Sequence, residues 1–320
     1  MTKTIAALAA STAALALGTA EAGMSKRVVF TSNGDRLVGD LYLPDDYREG
    51  DKLPAVIVTG AWTTVKEQMP ARYASELADR GYAALAFDFR GWGQSEGTPR
   101  QLEDPERKTQ DIVAAASFLA TQPEIDSERL GGLGICASSG YMVDAAARAP
   151  EIRSLALVAP WLHDAALVNQ VYGGEESVRS LIKTGRDAER GYERTGEEQM
   201  ALAASSTDES AIMFQAPYYT QAEVGQIPEW VNEFNLASWE PWLTYDAVSL
   251  SANLGDMPVS IVHSEAAAVP NGAHRFFAGL RGPKEELWLE DVTQFGFYHE
   301  DEPVGKAADR VSAHFEATLR

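Results

Sequence analysis

Along this chain the spacing of apolar and polar positions changes character in a definite order. Val28 to Asn33 and Leu37 to Leu43 alternate and are rich in β-branched residues, and Asn33-Gly34-Asp35 between them is a hairpin signal. The chain is therefore expected to open with an antiparallel pair. From Leu53 onward the apolar positions gather into short continuous runs, as strands buried on both faces do. Ala55 to Thr59 and Ala83 to Phe87 are such runs, and helical spacing follows each, over 66–80 and 106–121. Leu130 to Cys136 with a helix over 138–148, Leu155 to Ala159, Val259 to His263 with 272–280, and Leu287 to Leu289 with 304–318 complete the series. Strand and helix in alternation predict a mostly parallel sheet with helices on both faces.

The series is interrupted once, after the sixth strand. Residues 161–256 lack the alternation and hold charged helical stretches over 174–200, a polar tract from Ala204 to Ser210, and an aromatic cluster. That cluster comprises Tyr218, Tyr219, Trp230, Phe234, Trp239, Trp242 and Tyr245. An insertion here would sit over the carboxyl ends of the strands, where open α/β sheets bind ligands. The expected organisation is a core of residues 23–160 and 257–320 with a cap of 161–256 between them. The cap aromatics either line a site for an apolar or aromatic small molecule or pack as the cap's own core.

The N-terminus differs from the rest. Lys3, an uncharged Ala/Leu-rich run from Ile5 to Leu17 and the small-residue site Ala20-Glu21-Ala22 read as a secretory signal peptide over residues 1–22, too short and alanine-rich to span a bilayer. Export would place the mature chain in the periplasm or outside the cell; a start at Met24 would leave it in the cytoplasm. The 27 basic and 47 acidic residues give a net charge of −20, which repels nucleic acid and anionic membrane surfaces alike. With one cysteine, neither an intrachain disulfide nor a multi-thiolate zinc site can form. His163, His263, His274, His299 and His314 show no metal-ligand spacing, and no nucleotide-phosphate motif occurs, so no metal or cofactor is implied. Oligomeric state leaves no mark in the sequence.

The densest chemical signal is Leu130-Gly131-Gly132-Leu133-Gly134-Ile135-Cys136-Ala137-Ser138-Ser139-Gly140, a strand running through a tight turn into a helix. A nucleophile on such a turn needs small residues two before and two after it, because strand and helix approach closely there. Gly134 and Ser138 meet that need around Cys136. A thiol at this point sits at a helix N-terminus, and the Ala137 amide points to where an oxyanion forms. A second register makes Ser138 the nucleophile, but counting from the strand favours Cys136; the bland alternative is an inert buried thiol.

On these residues the chain resembles the α/β-hydrolase superfamily, and by its cysteine the dienelactone-hydrolase-like branch. Thr59-Gly60-Ala61-Trp62 after the third strand and Asp88-Phe89-Arg90-Gly91-Trp92-Gly93-Gln94-Ser95-Glu96-Gly97 after the fourth carry the resemblance further. It implies an α/β-hydrolase fold, a second oxyanion donor at Trp62, and a structural loop tied down by Arg90.

The rest of the implied triad is altered. The family's histidine slot after the last strand holds Gln294, which can orient a group but cannot shuttle a proton as imidazole does. His299, five residues on, either folds back to the elbow or lies on the surface. The acid slot falls near Ala267, leaving Glu265 as the nearest carboxylate and Asp164 as the other candidate. Two functions remain in view. One is a cofactor-independent hydrolase of a carboxylic ester, lactone or thioester, with Cys136, His299 and Glu265 catalytic and Ala137 and Trp62 as oxyanion donors. The other is a non-hydrolytic binding protein with a degraded triad.

Overall fold

The computed structural model describes residues 25–320. Segment 1–22, read above as an export signal, and Met24 lie outside the described residues. The opening strands β1 (Ser25–Ser32) and β2 (Asp35–Tyr42) form an antiparallel hairpin whose two turn residues, Asn33 and Gly34, both take positive φ. That geometry belongs to the primed turns, whose twist matches that of the flanking strands.

β3 (Leu53–Thr59), α1 (Met69–Ala78), β4 (Ala83–Phe87), α2 (Pro105–Ala120), β5 (Ile125–Ile135), α3 (Ser138–Arg148) and β6 (Ile152–Val158) then alternate. β5 starts earlier than its apolar run because Ile125 pairs with Leu53 beyond a register shift. The polar stretch Asp126-Ser127-Glu128 hides this first part from a hydrophobicity reading. The start of α2 is set by Asp104, whose carboxylate accepts the Glu106 and Arg107 amides, and by Pro105 in the first turn.

Between β6 and the next core strand lies the cap. It contains α4 (Ala165–Val171), α5 (Glu175–Thr195), β7 (Met200–Leu202), β8 (Ala204–Ser205), β9 (Met213–Phe214), α6 (Pro217–Thr220), β10 (Glu233–Asn235) and α7 (Trp239–Leu243). β7 pairs with β10 and β8 with β9, as two small ribbons outside the main sheet. The core resumes with β11 (Val259–His263), α8 (Pro270–Gly279), β12 (Lys284–Trp288), the single turn α9 (Gly296–His299) and α10 (Asp301–Thr318).

The eight core strands form one sheet in the order β1-β2-β4-β3-β5-β6-β11-β12. β2 runs antiparallel to its neighbours β1 and β4, and every later pair is parallel. α1 and α10 pack together on one face, with α2, α3 and α8 on the other. This is the α/β-hydrolase fold. Apart from Leu53 and Pro54 at the start of β3, the apolar residues of β3, β4, β6 and β11 are buried, as strands covered on both faces must be. No helix among the described residues is long and apolar enough to cross a membrane.

Candidate active site

The turn from β5 into α3 places Cys136 at φ 57°, a left-handed conformation that costs a non-glycine residue energy and persists only where the surroundings enforce it. They do so through the backbone. The Cys136 amide donates to Val158 O at 3.1 Å, and its carbonyl accepts from Ser139 N at 3.1 Å and Trp161 N at 2.9 Å. A Cβ added at Gly134 would lie 2.7 Å from Ser139 Cα, so only glycine lets the strand and helix meet. Ser138 is fully buried with its hydroxyl donating to Ile135 O at 3.1 Å, occupied in holding the turn and facing away from the cavity.

The Cys136 sulfur is faced by the backbone N–H groups of Trp62 and Ala137, by the Tyr298 hydroxyl and by the Gln294 side chain. The Trp62 amide comes from the loop after β3, which is held from below and above. From below, Glu103 accepts the Thr63 amide at 3.0 Å, the Lys108 ammonium at 2.7 Å and the Tyr141 hydroxyl at 2.9 Å. From the cap, the Tyr219 hydroxyl donates to Trp62 O at 3.1 Å and the Trp230 indole to Thr63 O at 2.8 Å. Arg90 ties down its own loop by an ion pair to Asp111 at 2.7 Å. Gln294 is locked by three bonds. Its oxygen accepts the Ala268 amide at 3.0 Å, and its nitrogen donates to Ala159 O and to the Tyr298 hydroxyl, both at 2.9 Å.

Above the sulfur opens a cavity of about 450 Å³, lined largely by apolar groups from the cap and the elbow, among them Trp161, Tyr172, Met213, Phe214 and Tyr219. The other cap aromatics named from the sequence pack mainly as core. Tyr218, Trp230, Phe234 and Trp239 are buried, while Tyr219 and Trp242 also line the cavity. Burial pushes the Cys136 thiol above its ordinary range, opposed by the donors around it. Burial likewise raises Tyr298, which stays a neutral phenol.

The structure does not bring the expected base and acid to the sulfur. Tyr298 is tied to Gln294 by a hydrogen bond of 2.9 Å, and His299, the next residue of the helical turn 296–299, points about 100° further round. His299 donates Nδ1–H to Phe295 O at 2.7 Å and borders a separate surface depression beside Arg72. Glu265 is exposed and binds His274 at 2.7 Å. Asp164 caps α4 and pairs with Arg275. None of the five histidines lines the cavity. Tyr298 is the residue the sequence reading missed, and its only signal was the four-residue spacing from Gln294.

Residues 33–293 match the Peptidase_S15 family, X-Pro dipeptidyl-peptidase (S15 family). The chain belongs to this family. It is thereby a hydrolase-type enzyme as well as a hydrolase-type fold. Protein PA2218 of Pseudomonas aeruginosa is 29% identical over 307 residues, covering 92% of this chain and 81% of that protein. The crystal structure of PA2218 superposes with a TM-score of 0.83 at 24% identity, over 95% of this chain and 96% of that one. The α/β hydrolase GrgF from Penicillium sp. sh18 shares the fold at a TM-score of 0.77 and 19% identity, over 92% and 99% of the two chains. Thiohydrolase aneE of Aspergillus aculeatus is 35% identical over 130 residues, 41% of this chain and 39% of that protein.

Proposed function

We propose that this S15-family protein accepts the acyl group of a carboxylic ester, lactone or thioester onto Cys136, with thioesters the favoured class, and needs no cofactor. The observation that carries this reading is the strained elbow, which holds the Cys136 sulfur against the Trp62 and Ala137 amides. Two backbone donors converging beside a nucleophilic atom stabilise the oxyanion of a tetrahedral intermediate, and they have no comparable use around an inert thiol. A thioester suits the site because its thiol leaving group is a weaker base than an alkoxide. The resemblance to a thiohydrolase points the same way. The apolar lining supports an apolar or aromatic acyl group. With no imidazole or carboxylate on the cavity wall among the described residues, activation of water is the weak step, so the acyl-enzyme is expected to outlast its own formation.

Gln294 favours a second reading, a binding protein whose triad has decayed, because an amide locked by three bonds fills the histidine slot without its chemistry. Intact-protein mass spectrometry separates the two. After mixing with a short acyl thioester, the parent should gain one acyl mass that Cys136→Ala lacks. No adduct on the parent across several acyl sizes would leave the binding protein standing.

A further inference from the structure

Resting on the thioester reading above, we infer that Tyr298 is a catalytic residue, a phenol that relays the proton an imidazole would carry, with Gln294 as its positioning residue. Both amide hydrogens of Gln294 are committed, one to Ala159 O and one to the Tyr298 oxygen. Its own oxygen is held by the Ala268 amide, so the side chain cannot flip. The Tyr298 oxygen therefore receives a hydrogen from Gln294 and turns its own hydrogen elsewhere. Cys136 and Tyr298 line the same cavity, and thiol and phenol each act on the other's protonation. The ring is fixed by packing edge-on against Tyr218 at 5.2 Å, and the hydroxyl lines the cavity wall.

A neutral phenol in this position does not act as a standing base. It takes and gives a proton in one step. The sulfur lone pair of Cys136 forms the new C–S bond, and the carbonyl π pair moves onto oxygen, held by the Trp62 and Ala137 amides. With substrate bound the phenol O–H turns to the departing sulfur, and the thiol proton passes to the phenol oxygen as the phenol's own proton goes to that sulfur. The oxygen pair then re-forms the carbonyl, the old C–S bond breaks and a neutral thiol leaves. Tyr298 ends as it began. The same exchange run with water returns the proton to Cys136 and releases a carboxylic acid.

The test compares two thioesters of one acyl group on the full chain, one leaving as an alkyl thiol and one as 4-nitrothiophenol, with acylation of Cys136 followed by mass. An alkyl thiolate needs a proton to leave, and 4-nitrothiophenolate does not. Tyr298→Phe should slow acylation by the alkyl thioester roughly 100-fold or more and by the aryl thioester less than about 10-fold. Equal losses on both, or no loss on either, would overturn the relay. A parent acylated by neither reagent would instead overturn the thioester reading on which it rests. Gln294→Leu keeps the phenol but removes the donor that orients it, together with the bonds to Ala268 and Ala159, and carries the same comparison should Tyr298→Phe not fold.

Discussion

A glutamine can match the hydrogen bonds of an imidazole, yet it has no proton to exchange near neutral pH. At position 294 it has become a structural strut instead, bridging the loop after β12, the end of β6 and the loop after β11. Gln294→Leu is expected to leave the Ala268 N–H and Ala159 C=O without partners, at about 1–3 kcal/mol each. Urea unfolding of the two proteins measures that loss. The tight turn at Cys136 was legible in the sequence because sterics there demand Gly134 and Ser138 on either side of it. The altered triad slots were legible too, as Gln294 and Ala267. The groups around the elbow were not, since residue type drew attention to His299, while a single helical turn, too short to leave any periodic signal, puts Tyr298 on the cavity wall instead.

The sheet's central strands and the helices between them announce themselves by apolar runs and 3.6-residue spacing. What such patterns cannot display is a charge taken indoors. Lys108 reads as an ordinary polar position on α2, yet it is buried against Glu103 and lies over the rings of Phe89 and Trp92 at 4.8 and 4.6 Å. Lys108→Met would strand the Glu103 carboxylate, at about 3–5 kcal/mol by chemical denaturation. It should also slow acylation at Cys136, because Glu103 holds the Thr63 amide next to the oxyanion donor. At the elbow itself, Gly134→Ala forces strand and helix apart. About 1–3 kcal/mol of stability and most of the acyl adduct should go together.

For the molecule as a whole, three buried histidines, His163, His263 and His314, are held below their ordinary value by burial and set a dependence on acidity. Burial brings both His163 and His263 down to about 4 in the folded chain, from an ordinary 6.5. Between those values the unfolded chain binds the extra protons, so stability declines as pH falls from about 6.5 to about 4. Neither ring nitrogen of His263 closes a hydrogen bond, although the Ala268 backbone lies close, and the ring packs on Trp288 at 5.2 Å. His263→Phe should therefore fold well, and between pH 7 and pH 5 it should lose about 2 kcal/mol less than the parent does. Urea midpoints at the two pH values decide it. The cap adds a constraint of another kind. Tyr219 and Trp230 belong to it, yet their bonds end on the loop that presents the Trp62 amide. A cap that swung aside to admit a bulky guest would disarm the loop as it moved, so the protein cannot be both wide open and competent. On the acyl-transfer proposal, acyl groups would enter past Val171 and Phe214, the exposed hydrophobics of the cavity lining, with girth the expected sorting criterion rather than length. Branching beside the carbonyl should then slow acylation far more than several added methylenes, a contrast that a short series of thioesters would read directly.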